Sequence, residues 1–327
     1  MTDQSRPLAV IILAAGAGTR MKSNTPKMLH EAAGKPLVGH VVDAALPLGA
    51  QHTLLVIGHG AGQVRDALSD RDVTFVLQEE QLGTGHAVKV ALAQLDGFEG
   101  DVMVLTGDAP LLTSETLQRL RDSHRSSGAG ASLLVYDAPD PTGLGRIVRD
   151  EAGKLARIVE EKDATPAEKA ITEINPGFFI FDSHLRGFLD RLSNDNAQGE
   201  YYLTEVPLFY LEAGLEVHTV QGLDETGQLV GVNNRVQLAQ AEKLLRDRIR
   251  RHWLMEGVTM IAPETTWIDA QVQLGRDVIL EPGVILRGNT VVGDGARIGA
   301  YSVLEDATVN EGEVLEPLTT NRDRIGA

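Results

Sequence analysis

The segment of this sequence best suited to chemistry is a glycine-rich turn that directly follows an apolar run. Residues 8–13 are apolar, and residues 14–20 read AAGAGTR. Small residues after a buried strand let backbone N–H groups approach a phosphate or a base closely. Arg20 and Lys27 share one loop with Pro26, and two cations in a rigid loop are typical of a triphosphate-binding site. Two solvated basic side chains are the alternative interpretation.

Other chemistries are poorly supported by the residue types and their spacing. A dinucleotide-binding fingerprint requires a third Gly or Ala where Met21 stands, and the Gly-Lys-Ser/Thr of a P-loop is absent. The nine histidines form no His-Glu-x-x-His pattern, so no zinc site is predicted. The absence of cysteine excludes disulfides and thiolate nucleophiles, and it is typical of a reducing compartment.

The overall charge limits the class of partner. Thirty basic and 46 acidic side chains give the 327 residues a net charge of −16. That charge repels nucleic acid and anionic membranes, which are therefore not expected as partners. To bind a polyanionic small molecule, such a protein needs a few hydrogen-bond donors and basic groups directed at the ligand, together with a divalent cation. No apolar run approaches the roughly 18 residues that span a bilayer, and we expect a cytoplasmic protein.

The first part of the chain predicts the scaffold that positions these residues. Short β-branched runs alternate with helix-like segments, which is typical of an α/β fold with a mostly parallel sheet covered on both faces. Ligands of such sheets bind beyond the carboxyl ends of the strands. The predicted strands are 8–13, 53–57, 73–77, 101–105 and 131–136, followed by a hairpin around 150–153, a strand at 177–181 and a helix at 234–256.

The last part of the chain is an internal repeat. Aliphatic residues recur there every six positions, seven times in phase. So short a period indicates a parallel β-helix, in which each repeat makes one side of a coil and no coil is stable alone. An antiparallel sandwich with a turn every six residues is the alternative. The repeat positions are Ile268, Leu274, Leu280, Leu286, Val292, Ile298 and Leu304.

Several segments resemble the signature motifs of the sugar-nucleotide pyrophosphorylases. Their joint order is similar to the uridyltransferase half of the GlmU family, over nearly the whole chain. The segments are LAAGAGTRM at 13–21, TPKML at 25–29, QEEQLGTGHA at 78–87, GDAPL at 107–111, NAQGEYYLT at 196–204 and GVNNR at 231–235. The resemblance implies a Rossmann-like nucleotidyltransferase domain over 1–233, a linker helix over 234–256, and a short left-handed β-helix with a polar tail over 257–327.

On the nucleotide side, the resemblance implies that residues 13–16 and 78–84 hold the uracil and the ribose. Gln78 has both an amide donor and a carbonyl acceptor, which suits the edge of uracil. Asp108 and Asn233 are implied ligands of Mg²⁺, which takes few protein oxygens and completes its shell with phosphates and water. Singly, Asp108 could be a turn residue and Asn233 a helix cap. The implied residues are Leu13, Ala14, Ala15, Gly16, Lys27, Gln78, Gly83, Thr84, Thr106, Gly107, Asp108 and Asn233.

On the sugar side, the implied residues suit N-acetylglucosamine. A glutamate accepts hydrogen bonds from hydroxyls, Asn and Thr bond neutral polar groups, and a glycine lets the backbone approach closely. These residues are Gly145, Glu160, Asn175, Tyr202 and Thr204. For Glu160, which stands in a run of charged residues, a solvated surface position is the alternative.

The implied reaction is an in-line nucleotidyl transfer. The phosphate of N-acetylglucosamine 1-phosphate attacks the α-phosphorus of UTP, and pyrophosphate leaves. No general base is needed because the attacking oxygen is already anionic, so catalysis consists of placement and charge stabilisation. Arg20 and Lys27 are the expected catalytic residues: Lys27 neutralises the α-phosphate and Arg20 holds the departing phosphates. The product, UDP-N-acetylglucosamine, is used in peptidoglycan synthesis for the cell wall.

Two positions depart from the family pattern. Many members carry a basic residue where Ala17 stands, so either Arg20 and Lys27 carry more of the triphosphate charge here or the affinity for UTP is lower. Many members have an aromatic residue where Thr106 stands, which alters contacts to the base or the ribose. Neither change affects the reaction class.

The resemblance also carries expectations about assembly and a second activity. Hexapeptide β-helix enzymes assemble as trimers, so we expect a homo-oligomer, formed through the β-helix. In the bifunctional family the β-helix continues for many more coils, which hold the acetyl-CoA and glucosamine 1-phosphate sites. The repeat stops here near Val314, and we expect no acetyltransferase activity.

Two other functions fit parts of the pattern. A pyrophosphorylase for UDP-glucose or a dTDP-sugar shares the loop chemistry and differs only in the sugar pocket. A non-catalytic nucleotide-sugar-binding scaffold keeps the fold without turnover, although Lys27, Asp108 and Asn233 are all intact.

Overall fold

The computed structural model describes residues 6–222, 229 and 231–321. Most of the predicted polar tail, residues 322–327, lies outside the described residues. Within the described part of the chain, none of the helices has the length and apolar character needed to cross a membrane.

Contacts between Cα atoms divide the chain into two units. The first comprises Met1–Leu29 and Leu37–Asn234, and the second comprises His30–Pro36 and Arg235–Ala327. The segment His30–Pro36 therefore groups with the second unit, although the sequence boundary at residue 233 assigns it to the first. Its short strands pair with each other in antiparallel fashion.

Among the described residues, ten strands of the first unit form one mixed sheet. They are β1 (Leu8–Ala14), β2 (His52–Ile57), β3 (Thr74–Leu77), β4 (Asp101–Thr106), β5 (Ala131–Asp137), β6 (Gly145–Arg149), β7 (Leu155–Val159), β8 (Glu173–Asn175), β9 (Phe179–Phe181) and β10 (Val217–Gln221). The order is β3-β2-β1-β4-β9-β5-β8-β6-β7, and β10 also pairs with β5. Strands β1 to β4 are parallel and β9 is antiparallel to its neighbours, which confirms the predicted α/β class.

Helices connect these strands and link the sheet to the repeat. The α-helices are α1 (Leu37–Ala45), α2 (Ala61–Ala67), α3 (Thr84–Leu92), α4 (Ser114–Ser127), α5 (Pro166–Lys169), α6 (Leu185–Leu189), α7 (Val206–Glu212) and α8 (Arg235–Met255). Short 3₁₀ turns lie at Thr19–Met21, Lys27–Leu29, Leu46–Leu48, Leu203–Glu205 and Pro263–Thr265. The helix that the sequence predicts over 234–256 is α8.

The first strand is buried on both faces. Val10 and Ile12 pack into one hydrophobic cluster, and Ala9 and Ile11 pack into another. Alternate side chains of a strand point to opposite faces, so a strand covered on both sides is apolar throughout. Because β1 lies between β2 and β4, its glycine-rich turn emerges at the carboxyl edge of three parallel strands.

Two predicted elements of the middle part are observed with small differences. The hairpin around 150–153 joins β6 to β7. The predicted strand at 177–181 begins only at Phe179, because Gly177 has a φ of 90° and turns the chain before the strand.

The second unit contains the predicted parallel β-helix. Its strands stack in three parallel sheets, and most paired residues are 18 positions apart, as Ile268 is from Leu286. Three six-residue repeats therefore make one coil. The seven predicted repeat positions are all buried in one core. Its left-handedness stays a prediction.

The six-residue period does not continue past Leu304. Val309 pairs with Val292 only 17 positions earlier, and the chain passes through Asp306 with a φ of 48°. One residue is thus missing from this corner of the coil, so the inward position is Val309 rather than residue 310. The strands of the three sheets are Thr259–Met260, Ile279–Leu280, Arg297–Ile298 and Val314–Leu315; Trp267–Ile268, Ile285–Arg287 and Val303–Glu305; and Gln273–Leu274, Val291–Val292 and Thr308–Val309.

Candidate active site

The side chain of Lys27 packs against the glycine-rich turn that follows β1. Gly18 has a φ of 61°, in the left-handed region that favours glycine. A Cβ built on Gly18 would lie 2.3 Å from the Cβ of Lys27, so a side chain there would displace the lysine stem. Glycine at position 18 therefore leaves the space that the aliphatic stem of Lys27 occupies.

Arg20, Lys27, Asp108 and Asn233 converge at the carboxyl ends of β1 and β4. The Lys27 Nζ donates to Asp108 Oδ2 at 2.5 Å and to Asn233 Oδ1 at 2.8 Å. The Arg20 Nη2 donates to the same Asn233 oxygen at 2.8 Å. The side chains of Lys27 and Asp108 are 11% and 14% exposed, so water and salt screen their attraction weakly. Both predicted cations thus contact the predicted metal ligands.

Backbone contacts bring Asp108 and Asn233 together across a long stretch of sequence. The N–H of Gly107 donates to the Leu13 carbonyl at 2.9 Å, which continues the β1–β4 pairing past the end of the strands. The N–H of Val232 donates to the Asp108 carbonyl at 2.8 Å. A Cβ on Gly231 would lie 2.8 Å from Asp108 Oδ1, so glycine is required for this approach.

Gly18→Ala tests this arrangement of the turn. We expect a loss of about 2 kcal/mol or more in the free energy of unfolding, from the left-handed backbone and from the clash with Lys27. Urea unfolding measures it. Gly128→Ala is the matched control, because Gly128 has a φ of 69° and nothing within 4 Å of its Cβ position. It should cost only the backbone term of about 1 kcal/mol. Equal losses in the two variants would contradict the clash.

A cavity of about 380 Å³ adjoins the cluster and contains most of the predicted nucleotide residues. Gln78 is buried at its wall, where its Nε2 donates to the Gly83 carbonyl at 3.2 Å and lies 3.0 Å from His86 Nδ1. The lining residues are Leu13, Ala15, Gly16, Ala17, Met28, Gln78, Gln81, Gly83, Thr84, Ala87, Thr106, Asp108 and Glu200.

Some lining residues were not among the predicted site residues. Gln81, within the predicted range 78–84, lines the cavity. Met28, Ala87 and Glu200 line it without having been predicted, and all three lie inside the motifs that carry the resemblance. Their spacing alone does not distinguish them from neighbours that face away. Ala17, noted as a departure from the family pattern, also lines it.

The loop at 83–85 is hydrogen-bonded to the segment 201–204, which carries two of the predicted sugar residues, Tyr202 and Thr204. The N–H of Gly85 donates to the Tyr201 carbonyl at 2.8 Å, and the N–H of Leu203 donates to Thr84 Oγ1 at 3.0 Å. Gly83 has a φ of 108°, and a Cβ there would lie 2.7 Å from the Tyr201 oxygen. Residues predicted to contact the base and two of those predicted to contact the sugar therefore lie on one tightly packed pair of segments.

Four of the predicted sugar residues form two contacting pairs. Asn175 lies opposite Gly145 in the pairing of β8 with β6. The Thr204 hydroxyl donates to Glu160 Oε1 at 2.9 Å. A Cβ on Gly145 would be 3.7 Å from both carboxylate oxygens of Glu160, which joins the two pairs. The Tyr202 hydroxyl instead accepts from Gln198 at 2.8 Å.

None of the five predicted sugar residues is among the described residues that line the 380 Å³ cavity. The link between them runs through Thr106, which does line it. A Cβ on Gly177 would lie 2.7 Å from Thr106 Cγ2, and the N–H of Gly177 donates to Asn175 Oδ1 at 3.1 Å. Asn175 is therefore connected to the cavity wall through Gly177, which lies against Thr106.

Burial changes the pKa of two of the predicted sugar residues. Desolvation raises the pKa of Glu160; the nearby Asp163 and Glu200 carboxylates add to the rise, and the Thr204 hydrogen bond opposes it. Burial raises the pKa of Tyr202 to about 12, so its hydroxyl keeps its proton at neutral pH. A carboxylate with little water around it gains most from hydroxyl donors of a bound ligand.

Glu160→Gln should change how stability depends on pH. Because the folded state binds the Glu160 proton more tightly than the unfolded state, wild-type stability falls as pH rises from the ordinary glutamate pKa through the raised one. The glutamine variant lacks this fall and should gain stability relative to wild type over that range, as measured by urea unfolding at several pH values.

Glu168→Gln is the control for that measurement. Hydrogen bonds from Thr165 hold the pKa of Glu168 below its usual value, so Glu168 adds stability above the ordinary glutamate pKa and loses it as pH falls. The two variants should therefore shift with opposite signs. A shift of the same sign in both would contradict the burial argument for Glu160.

The fold and this cluster define a class of protein. A mixed α/β sheet with a glycine-rich turn, a half-buried lysine and facing carboxylate and amide oxygens at the carboxyl ends of its parallel strands is the arrangement of a nucleoside triphosphate transferase. The family model described as a MobA-like NTP transferase domain matches residues 10–254. The model of the bacterial transferase hexapeptide, with six repeats, matches residues 266–306.

The names of similar curated proteins show which family within this class the chain belongs to. A bifunctional protein GlmU from Caldanaerobacter subterraneus subsp. tengcongensis is 46% identical over 93% of this chain and 66% of its own length. The bifunctional protein GlmU of Streptomyces avermitilis is 45% identical over 98% of this chain and 68% of its own. The bifunctional protein GlmU of Alkaliphilus oremlandii is 46% identical over 98% of this chain and 70% of its own length. The chain belongs to the GlmU family, and it spans about two thirds of the length of these relatives.

Proposed function

We propose that this chain transfers the uridylyl group of UTP to N-acetylglucosamine 1-phosphate, giving UDP-N-acetylglucosamine and pyrophosphate. The observation that carries the proposal is the Lys27–Asp108–Asn233 cluster, with Arg20, beside a cavity lined by Gln78. On the sugar side, Thr204 donates to Glu160, and the neighbouring Leu203 is hydrogen-bonded to Thr84 of the nucleotide loop.

The residues of this chain act by placement and charge. The Lys27 ammonium, already fixed by two oxygens, contributes positive charge where the α-phosphate gains negative charge in the transition state. Arg20 presents its guanidinium beside it and binds the departing phosphates. The attacking phosphate oxygen is anionic, so no side chain has to remove a proton. Holding two polyanions in line supplies most of the remaining rate.

The residues present fit a divalent cation of the magnesium type. Asp108 and Asn233 offer a carboxylate and an amide oxygen to one ammonium group, which stands in for a cation between them. Within the described residues no group of three His, Cys, Asp or Glu side chains could hold a metal, so substrate phosphates and water would complete the shell of a Mg²⁺ ion. Such an ion would supply charge neutralisation at the phosphates.

The predicted sugar residues suit a neutral, hydroxylated sugar with one amide group. Glu160 accepts from hydroxyls, and its burial disfavours an anionic sugar at this place. Asn175 and Thr204 are buried polar side chains that suit neutral donors and acceptors. These features support N-acetylglucosamine over a sugar acid. They do not by themselves exclude the synthesis of UDP-glucose or a dTDP-sugar, which is tested by comparing substrates.

Pyrophosphate release from UTP in the presence of Mg²⁺ tests the proposed function. The panel consists of N-acetylglucosamine 1-phosphate, glucose 1-phosphate and galactose 1-phosphate, with dTTP as the competing nucleotide. We expect N-acetylglucosamine 1-phosphate with UTP to give the highest kcat/KM, and EDTA to abolish turnover. A higher kcat/KM with glucose 1-phosphate or dTTP would contradict the substrate assignment. If the protein binds UTP but releases no pyrophosphate with any of these sugar 1-phosphates, a non-catalytic nucleotide-sugar-binding scaffold would be supported instead.

Three expectations stay predictions. Trimer formation is checked by light scattering at micromolar concentration, and cytoplasmic location by fractionation of the source cells. The absence of acetyltransferase activity is checked by release of free coenzyme A from acetyl-CoA in the presence of glucosamine 1-phosphate. Detectable release would contradict it.

A further inference from the structure

Arg146 is a buried cation that the mechanism above does not use. It follows Gly145 in β6 and is only 1% exposed. Its guanidinium donates to the Glu161 carboxylate at 2.6 Å, to the Lys169 carbonyl at 3.5 Å and to the Leu144 carbonyl. Burying a charge is costly, and an apolar residue of similar volume is often at least as stabilising. The contacts of Arg146 therefore call for an explanation beyond stability.

The contacts of Arg146 flank Glu160 on both sides. The backbone of Arg146 pairs with Val159 in the β6–β7 ladder, and its side chain forms an ion pair with Glu161. Glu160 lies between these two neighbours, just past the end of β7. The N–H of Asp163 donates to the Glu160 carbonyl at 3.0 Å and closes the turn that follows. One residue thus fixes the chain immediately before and after Glu160.

Glu161, rather than Glu160, pairs with the guanidinium charge. The Glu160 carboxylate accepts from the neutral Thr204 hydroxyl at 2.9 Å and faces Gly145. Glu161 is 28% exposed and reaches inward to Arg146 at 2.6 Å. The Glu160 carboxylate therefore keeps acceptor capacity for ligand hydroxyls, while its neighbour satisfies the buried cation.

We propose that Arg146, through its pair with Glu161, is a positioning residue that aims the Glu160 carboxylate at the hydroxyls of the sugar 1-phosphate. This inference rests on the proposed function. A displacement of about 1 Å in a substrate-orienting group can cost up to about 100-fold in rate. A lysine in place of Arg146 keeps the charge but lacks the planar fork that reaches Glu161 and the two carbonyls together.

Steady-state kinetics of Arg146→Lys and Glu161→Gln, with each substrate varied in turn, test the proposal. We expect the KM for N-acetylglucosamine 1-phosphate to rise about tenfold in Arg146→Lys, with the KM for UTP unchanged. Glu161→Gln should shift the same KM in the same direction by a smaller factor, because the amide keeps one acceptor for the guanidinium. If Arg146→Lys fails to fold, the Glu161→Gln result decides.

Arg149→Lys is the matched control. Arg149 lies on the same strand and forms an ion pair with Glu173, with no contact to the 160–163 turn among the described residues. It should lower the thermal unfolding midpoint without changing the sugar KM. Three results would overturn the positioning role of Arg146 but not the proposed function. The KM for the sugar phosphate could rise as much in Arg149→Lys as in Arg146→Lys, or the KM for UTP could rise as much as that for the sugar phosphate in Arg146→Lys. The third is an unchanged KM for the sugar phosphate in both Arg146→Lys and Glu161→Gln. A wild-type protein inactive on every sugar 1-phosphate would overturn the proposed function and this inference with it.

Discussion

Lys27→Met should lower kcat for uridylyl transfer about 10³-fold while leaving the fold intact. The ammonium lies within 2.8 Å of both Asp108 and Asn233, so it is held in place before substrate binds and needs little reorganisation in the transition state. Single preorganised donors and cations of this kind contribute about 10²- to 10⁵-fold in phosphoryl and acyl transfer. Methionine keeps the length of the stem that crosses Gly18 and removes only the charge.

The measurement is pyrophosphate release at saturating UTP, sugar phosphate and Mg²⁺, with thermal unfolding to verify the fold. Lys154→Met is the control, because Lys154 is exposed in the β6–β7 hairpin. It should behave as wild type. Turnover by Lys27→Met at the wild-type rate would remove Lys27 from the catalytic residues.

Asp108→Asn should lower kcat about 10²-fold and raise the Mg²⁺ concentration needed for half-maximal activity at least about tenfold. Asparagine keeps the shape of the side chain and one oxygen, but it removes the charge that faces Lys27. The position of Asn233 should be preserved, because the Val232 N–H donates to the backbone carbonyl of residue 108 and not to its side chain.

A Mg²⁺ titration of activity separates two roles of Asp108. A higher half-activating concentration supports a metal ligand, whereas a lower kcat at an unchanged concentration would show that Asp108 acts only on Lys27. Asp122→Asn is the control, since Asp122 is 65% exposed and pairs only with Arg121 among the described residues. It should leave both quantities unchanged.

The effects of Lys27→Met and Asp108→Asn should not add. Each variant removes one partner of a single ion pair with low exposure, and neighbours in one network show large interaction energies. The double variant should therefore lose less activity than the product of the two single losses. Independent, multiplicative losses would indicate that the two side chains do not work as a unit.

Much of the fold could be predicted from local pattern. A strand covered on both faces, as β1 is, must be apolar throughout, and the run at residues 8–13 shows this directly. The six-residue repeat predicted the β-helix, because each coil needs inward aliphatic side chains at fixed places. The period could not predict the shortened corner before Val309, since a turn tolerates the loss of one residue when the next strand regains its pairing.

The candidate site was predicted from motifs as a set of separate positions. Local sequence does not report distances, so Asp108 and Asn233 could each be read as ordinary turn and cap residues. In the folded chain the two residues are brought together, because the Val232 N–H donates to the Asp108 carbonyl and both side-chain oxygens accept from Lys27. Likewise, nothing near Met28 or Glu200 in the sequence indicates that both line one cavity.

The sequence by itself determined the class of fold, the repeat and the residue types available for chemistry, because backbone geometry and burial impose short, regular patterns on the chain. The tertiary structure decided which of those residues meet. In the folded chain His30–Pro36 groups with the second unit, and burial raises the pKa of Glu160. Arg146 contacts both neighbours of that glutamate, Val159 through the backbone and Glu161 through the side chain. These outcomes depend on packing between segments far apart in sequence, and no local periodicity records such contacts.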